Sequence, residues 1–425
     1  MTEILQPSLP GLKRRHAAER RFQLYGKLAI SLALGFLVVM IGVIGANSIG
    51  AFTQTQVALS IRFDERTIDP EGKREPDALA QANYGALVKA SLRNAFPGVK
   101  GRRDKRKLFG LVSSDAEFTL QKKVIADPKL VGAIQKIWLV TSDDVDQLVK
   151  GNIDPSLPET SRRLSDREIG WIEQLRARGD IKRVTNTSFF TSGDSREPEL
   201  AGILSALVGS ALSLLVCFVL SFPIGILAAV YLEEFAPRSV WSDIIEININ
   251  NLAAVPSIVF GLLGLAIFLN VFGLPRSTPL VGGMVLALMT LPTIIIASRA
   301  SLRAVPPSIR EAALALGASK VQTTFHHVTP LALPGMLTGA IVGMARALGD
   351  TAPLLMVGMV AFIVDVPKSI FEPATALPVQ VFLWADSPER AFVEKTSAAI
   401  MVLLLFLVLM NLVAVVLRKK FERRF

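Results

Sequence analysis

Six apolar runs, each long enough to cross the roughly 30 Å hydrocarbon layer of a membrane, constrain this sequence more than any other feature. They lie at about 28–51, 202–231, 251–273, 279–300, 336–363 and 396–417. Backbone polar groups in lipid must be hydrogen-bonded within the chain, so runs of this length fold as helices. A mean hydropathy of +0.46 agrees with this. The sequence therefore predicts an all-α polytopic membrane protein with six transmembrane helices.

The distribution of basic residues predicts how these helices are oriented. The chain carries a net charge of +10, and Lys and Arg are concentrated in the N-terminal tail (1–27), around Arg299, Arg303 and Arg310, and in the C-terminal "RKKFERRF". Six crossings place these three segments on one side, which the positive-inside rule makes cytoplasmic. Both termini are then cytoplasmic. The first run, 28–51, exceeds the apolar core of a signal peptide, so we expect an uncleaved anchor.

A polar insertion of about 150 residues, 52–200, separates the first two spans and falls on the outer side in this topology. Helical periodicity appears in "DALAQANYGALVKASLRNAF" and in "SDREIGWIEQLRARG", where Ser165 and Glu168 have the spacing of a capping box. The run "IQKIWLVT" is typical of a buried strand. We predict a small mixed α/β extracytoplasmic domain, in which "KGRRDKRK" is an exposed loop and Asp143 and Asp144 belong to a solvated surface.

The sequence offers no catalytic constellation. The single cysteine, Cys217, lies in an apolar run, and the adjacent His326 and His327 point to different faces of a helix, so we expect neither a metal site nor redox chemistry. The phosphate-binding pattern GxxxxGK[ST] is absent. Basic residues cluster beside apolar runs rather than along a soluble face, which disfavours nucleic-acid binding. We expect a non-enzymatic chain with no cofactor of its own.

A short polar segment between the fourth and fifth runs, "EAALALGASKVQTTFHHVTP", has clear helix signals. Ser308 precedes Glu311 by three residues, which predicts a capping box at the start of a helix. Gly317 fits a left-handed helix end, and Ser319 with Gln322 predicts a second capped helix running toward Pro330. The segment 308–330 is therefore predicted to be a helical hairpin. It could read DNA, form an inert loop or dock a cytoplasmic partner, and the flanking spans make DNA binding improbable.

The front of this segment resembles the EAA signature of ABC-importer permeases, in which a glutamate, two alanines and a glycine precede an Ile-x-Leu-Pro ending. His327 and Thr329 depart from that ending. In the family this hairpin fits a cleft on an ATP-hydrolysing subunit. The resemblance thus implies coupling to an ATPase through the matching positions, which are Glu311, Ala312, Ala313, Gly317 and Pro330.

Over roughly 201–425 the resemblance narrows to phosphate importers, through "VPSIVFGL", "RAVPPSIREAALALGASK", "ARALGDTAPLL" and "ALPVQVFLWADSPE". It implies a type I ABC importer permease core in a bacterial inner membrane, working by alternating access. The implied partners are an ABC ATPase dimer that binds ATP and Mg, a homologous second permease, a periplasmic phosphate-binding protein and membrane lipid. The insertion is not part of the common core.

Two ionisable residues of the fifth run, Arg346 and Asp350, stand four apart and are predicted to share one helical face. Charges at this depth mark a functional site unless they neutralise each other. The arginine could hold a phosphate oxygen pair, and the carboxylate could accept the proton that hydrogen phosphate retains. Arg299 is a third candidate for the substrate path, or else a positive-inside anchor.

Other functions stay open at this stage. The same core could carry sulfate or molybdate, or the chain could be an ion-coupled secondary transporter, although no coupling-ion site is evident apart from Asp350. Gly339 and Gly343 form a GxxxG motif, which predicts close helix packing either on a partner permease or within the chain.

Overall fold

The computed structural model describes residues 12–421 apart from 71, 73 and 361. The first eleven residues of the predicted basic tail and the last four residues of "RKKFERRF" lie outside this part of the chain.

The first helix, α1 (Leu12–Ser48), is longer than the predicted span because it takes in most of the basic segment as well as the apolar run. Its apolar side chains are exposed along nearly the whole helix, as lipid contact requires. A short 3₁₀ turn (Ile49–Phe52) then leads directly into the first strand of the insertion.

The insertion is a mixed α/β domain, as predicted. Its strands are β1 (Thr53–Arg62), β2 (Ile134–Val140) and β3 (Ile181–Thr185). Its helices are α2 (Glu65–Ile68), α3 (Pro76–Gln81), α4 (Tyr84–Ala95), α5 (Arg102–Phe109), α6 (Asp115–Ala126), α7 (Asp143–Lys150), α8 (Asp166–Ala177) and α9 (Ser188–Thr191). The sheet is antiparallel with the order β2-β1-β3, so the strand that follows α1 is central. Helices pack on it around a core that includes Phe63, Leu92 and Leu120.

The local predictions for the insertion had mixed outcomes. The strand in "IQKIWLVT" is β2, and the backbone N–H of Ser165 donates to Glu168 at 2.8 Å in the predicted capping box. The helical periodicity at 77–96 is confirmed, and it is divided between α3 and α4 because Asn83 accepts from the N–H of Ala86 and starts a new helix there. The prediction that "KGRRDKRK" is an exposed loop is wrong. Most of it is helix α5, which the fully buried Leu108 anchors to the core.

The rest of the chain forms a helical core. Its helices are α10 (Leu204–Val230), α11 (Val240–Ala253), α12 (Ser257–Gly264), α13 (Pro279–Arg303), α14 (Pro307–Ala315), α15 (Lys320–Gln322), α16 (Thr329–Gly349), α17 (Ala352–Met356), α18 (Leu377–Ala385) and α19 (Ala391–Phe421). Three π-helical segments, Tyr231–Phe235, Leu265–Val271 and Thr323–Val328, extend α10 and α12 and precede α16. Five helices of the described chain are long and apolar enough to cross a membrane.

The third predicted span is not one straight helix. Residues Val240–Ala253 and Ser257–Val271 form a pair bent by 102°, which counts as a sixth span only if both halves are taken together. Pro256 lies at the bend and has extended backbone torsions, with φ −57° and ψ 138°. A proline has no N–H to donate and restricts the residue before it, so the helix ends ahead of it.

The fifth predicted span, 336–363, is wrong at both ends. Its helix runs from Lys320 through Gly349 and stops, because Asp350 takes an extended conformation with ψ 113°. The carboxylate of Asp350 accepts from the N–H of Ala352 at 3.2 Å, and the short helix α17 begins there. The hydrogen bond between the Asp350 side chain and the backbone of Ala352 therefore interrupts the helix at Asp350.

The GxxxG motif packs within the chain. A Cβ built on Gly339 would lie 2.3 Å from the Cβ of Ala297 on α13, and one built on Gly343 would lie 3.6 Å from the Cβ of Thr290. Helices α13 and α16 thus approach closely at small residues, as such motifs allow in lipid.

The insertion is fixed to one end of the core by polar contacts. Glu394, near the start of α19, accepts from Lys150 of the insertion at 3.2 Å. Trp384 of α18 donates through Nε1 to Asp194 at 3.0 Å. Lys395 donates to the carbonyl of Ala201 at 2.9 Å. These contacts tie the last helix to both the insertion and the segment that leads into α10.

Substitution of Gly339 tests the helix packing. We expect Gly339→Ala to lower the thermal unfolding midpoint of the detergent-solubilised chain, because overpacking a tight contact costs about 1–3 kcal/mol. The control is Gly349→Ala on the same helix, where an added Cβ meets nothing within 4 Å. An unchanged midpoint for Gly339→Ala would contradict the close approach.

The insertion should become more stable as the pH falls through neutrality. Burial, and next the charges of Asp144 and Glu199, raise the pKa of Asp143 from 3.8 to about 7, so the predicted solvated acidic pair is instead partly buried. The folded carboxyl holds a proton that the unfolded chain releases, and this stabilises the fold increasingly between about pH 7 and pH 4. Thermal unfolding midpoints should therefore rise from pH 8 to pH 6.

The Asp143→Asn variant should reduce this pH response, whereas Asp77→Asn, an exposed carboxylate in α3, should keep it. An equal response in wild type and Asp143→Asn would show that Asp143 is ionised in the fold.

Candidate functional site

The predicted hairpin is present, but its first helix begins at Pro307, ahead of the predicted capping residue Ser308. Helix α14 starts at Pro307 with Pro306 as the N-cap, so Ser308 lies inside the first turn and makes no capping contact. Proline is well suited to the first helical position because its missing N–H has no partner there anyway. The predicted Ser308–Glu311 capping box is therefore wrong. Glu311 is exposed, and within the described chain no hydrogen bond or ion pair engages its carboxylate.

Helix α14 ends in the left-handed turn that Gly317 predicted. Gly317 has φ +86°, its N–H donates to the carbonyl of Leu314 at 2.9 Å, and the N–H of Ala318 donates to Ala313 at 3.1 Å. This pair of bonds is the Schellman motif, which satisfies carbonyls that a helix end would leave unpaired. The turn is closed by its own backbone and is locally rigid.

The second arm of the hairpin is continuous with a membrane span. Ser319 accepts from the N–H of Gln322 at 3.2 Å and donates its own N–H to the Gln322 side chain at 2.9 Å, which confirms the predicted capping box. The helix then passes Pro330 instead of ending near it. A π-helical turn precedes Pro330, and Thr329 donates to Thr324 within it. The wider turn accommodates the missing proline donor.

The hairpin presents apolar side chains outward. Ala313 and Val328 are buried. Leu316 is 90% exposed, and Leu314 and Val321 are at least half exposed. Ala312 and Ala315 are exposed between them. A compact apolar surface at a rigid turn is the form that partner-docking sites take.

Arg346 and Asp350 are not paired with each other. Arg346 lies on an exposed face near the end of α16, whereas Asp350 lies beyond the helix end, so the predicted common helical face is wrong. Within the described chain no ion pair links them. Asp350 instead accepts from the hydroxyl of Ser257 at 3.1 Å.

Asp350 joins two helix breaks. Ser257 is the first residue of α12, immediately after the bend at Pro256, and Asp350 immediately follows α16. Helices α12 and α17 pack closely here, since a Cβ on Gly261 would lie 2.8 Å from the Cα of Pro353. Interrupted helices that meet inside a bundle are common around transport paths.

Arg299 lies in an ion-pair cluster rather than at this break. Its guanidinium contacts Glu246 at 2.9 Å and Glu233 at 3.4 Å, and Arg303 contacts Glu233 at 2.9 Å. Two carboxylates thus occupy its donors, which favours an anchoring role over substrate contact. Roles for Glu233 and Glu234 were not predicted from the sequence. The available signal was the acidic pair "EE" directly after an apolar run, opposite three arginines of the next basic segment.

Among the described residues, no group of three or more His, Cys, Asp or Glu side chains is placed to hold a metal ion.

Comparisons with known proteins match both halves of the chain. Residues 221–425 match the family described as binding-protein-dependent transport system inner membrane component, and residues 10–159 match a domain of unknown function, DUF3333. The chain is 31% identical over 245 residues to the phosphate transport system permease protein PstA 1 of Mycobacterium tuberculosis, covering 57% of this chain and 79% of the relative. PstA of Yersinia pestis is 32% identical over 219 residues, covering 52% and 73%.

A solved structure of the inward-facing MetNI methionine ABC transporter is also similar, with 19% identity and a TM-score of 0.41, over 51% of this chain and 95% of that one.

The six candidate crossings, the helical hairpin and the family match define the class of this protein. It is a multi-pass inner-membrane permease of the ABC transporter type. More particularly, the chain belongs to the family of PstA-like permeases.

Proposed function

We propose that this chain is the membrane-spanning permease subunit of an ATP-driven importer of inorganic phosphate. It forms the translocation path with a second, homologous permease and receives energy from a cytoplasmic ATPase dimer through hairpin 308–330. The observation that carries the proposal is the match to phosphate transport permeases over a segment of 245 residues. ATP and Mg bind to the ATPase, and a periplasmic phosphate-binding protein delivers the substrate.

The geometry of the hairpin supports coupling rather than an inert loop. A loop that only connects two spans has no reason to expose Leu314, Leu316 and Val321 around a rigid turn. Covering these side chains would remove apolar surface from water. Since the second arm is continuous with α16, displacement of the turn by the ATPase would be carried along one helix into the membrane. Glu311 and Ala312 lie on the exposed side and are available for contact.

The substrate path is proposed to pass the helix break near Asp350. Arg346 is exposed on a membrane-spanning helix, and a charge in that position requires a water-filled cavity or a partner chain beside it. A cavity shared with the second permease meets this requirement. The guanidinium can hold two phosphate oxygens, and Asp350 can accept the proton that hydrogen phosphate carries and sulfate lacks.

The topology follows the positive-inside rule. The basic residues around the hairpin support a cytoplasmic position for it and for both termini. The insertion, at the opposite end of α10, then lies on the periplasmic side.

Uptake by the reconstituted complex tests the substrate and the role of Arg346 together. Proteoliposomes with the permeases, the ATPase and the binding protein should take up phosphate with ATP, and should take up little sulfate or molybdate. Arg346→Lys keeps the charge but loses the planar fork, so phosphate uptake should fall about tenfold or more, while assembly with the ATPase stays intact.

The matched control is Arg418→Lys, on the last helix, where the side chain contacts only Thr338 among the described residues. Normal uptake by Arg346→Lys would remove Arg346 from the substrate path, and preference for sulfate or molybdate would replace the proposed substrate.

Substitution of Gly317 tests the coupling role of the hairpin. Gly317→Ala forces a Cβ into left-handed backbone, at a cost of about 1–2 kcal/mol, which corresponds to roughly five- to thirtyfold in a binding equilibrium. We expect weaker retention of the ATPase on the purified permease and lower uptake. Gly273→Ala is the control, because Gly273 has φ +65° and open space around it but lies outside the hairpin. Equal ATPase retention in the two variants would favour an inert loop.

A further inference from the structure

A partly buried ion pair connects the first arm of the hairpin to a different transmembrane helix. Arg310 lies on α14, next to the exposed Glu311, but its side chain turns inward. Its Nη2 lies 2.7 Å from Oε1 of Glu234, and its Nε lies 3.2 Å from the same oxygen. The two side chains are only 24% and 10% exposed.

The same guanidinium also binds the end of α13. Nη1 of Arg310 donates to the carbonyl of Val305 at 2.8 Å, and Nη2 donates to the carbonyl of Leu302 at 2.9 Å. One side chain thus connects α14, the C-terminal end of α13 and the π-helical extension of α10. A planar fork with several fixed donors can make these contacts at once, and a lysine ammonium cannot.

The neighbouring glutamate makes a separate set of contacts. Glu233 accepts from Arg303 at 2.9 Å and from Arg299 at 3.4 Å, and both arginines belong to α13. Glu233 therefore ties α10 to α13, whereas Glu234 ties α10 to the hairpin. The two adjacent carboxylates fall in the π-helical segment Tyr231–Phe235.

The ion pair matters because the covalent connection of this arm is not helical. Helix α13 ends at Arg303, and α14 starts at Pro307 after the extended Pro306, with ψ 138°. The second arm, by contrast, continues through one helix into α16. A displacement of the turn therefore reaches α16 along one continuous helix. It reaches α10 through the Arg310–Glu234 ion pair, beside the apolar cluster that holds Val230, Ile309 and Val328.

We propose that Arg310 and Glu234 are positioning residues that transmit movement of the hairpin to α10 and α13, so that ATPase binding and transport stay coupled. This inference rests on the proposed function of the hairpin. It assigns the pair a part in transmission rather than in ATPase docking, since Leu314 and Leu316 are exposed whereas the Arg310 side chain is mostly buried.

The experiment compares variants within the complete reconstituted complex. Arg310→Lys keeps the charge and breaks the fork, and Glu234→Gln keeps the shape and removes the charge. Arg303→Lys is the matched control. It makes the same arginine-to-lysine exchange at the C-terminal end of α13, close to Arg310, but Arg303 pairs with Glu233 and does not contact the hairpin. Phosphate uptake and ATP hydrolysis are measured on the same proteoliposomes.

Docking is measured separately by crosslinking. A cysteine introduced by Leu316→Cys is highly exposed, and the native Cys217 is fully buried, so the crosslinker should react at the hairpin alone. We expect crosslinking to the ATPase to persist in Arg310→Lys and Glu234→Gln. The ratio of uptake to hydrolysis should fall by about tenfold or more in both, as expected for loss of a charge-assisted buried contact, and by less than twofold in Arg303→Lys.

Two results would overturn the inference. An unchanged ratio in Arg310→Lys and Glu234→Gln would show that the pair transmits nothing. Loss of crosslinking along with uptake would show that it holds the docking surface instead. Failure of the wild-type complex to transport phosphate or to crosslink through Leu316→Cys would instead contradict the proposed function, so the two failures are distinguishable.

Discussion

The fold depends on one constraint, which is that backbone polar groups in lipid must find partners within the protein. Most of the core meets it with long unbroken helices. The chain departs from this at two places, the bend before Ser257 and the end of α16 at Gly349, and the structure brings these two places together. The hydrogen bond from Ser257 to Asp350 lies between them. Polar groups freed by one break are therefore next to those freed by the other.

Features encoded within a few residues were predictable from the sequence. The apolar runs gave the crossings, Gly317 gave the left-handed turn, and the Ser319–Gln322 box gave the start of the second arm. The same reasoning failed where two local signals competed. Ser308 has the spacing of a cap, but the prolines before it start the helix earlier. Asp350 has helical spacing from Arg346, but its carboxylate binds the backbone two residues ahead and ends the helix.

Contacts between distant segments were not predictable from a single sequence. Glu234 and Arg310 are far apart along the chain, and only the folded bundle shows that they meet. Both were visible as charges near apolar runs, where membrane orientation explains them equally well. The short helix α14 contributes both to the contact with Glu234 and to the exposed surface of the hairpin. The side chain of Arg310 is mostly buried and Glu311 is exposed, so consecutive residues of α14 form the inner contact and part of the outer surface.

The antiparallel pairing of β1 and β3 has a consequence for how the insertion joins the rest of the chain. The chain leaves the first span at Thr53 and returns at Thr185, and these two residues are paired neighbours on β1 and β3. Entry and exit therefore lie side by side, like the two ends of a closed loop. An insertion joined in this way adds a folded domain to the chain while its first and last strands stay in contact.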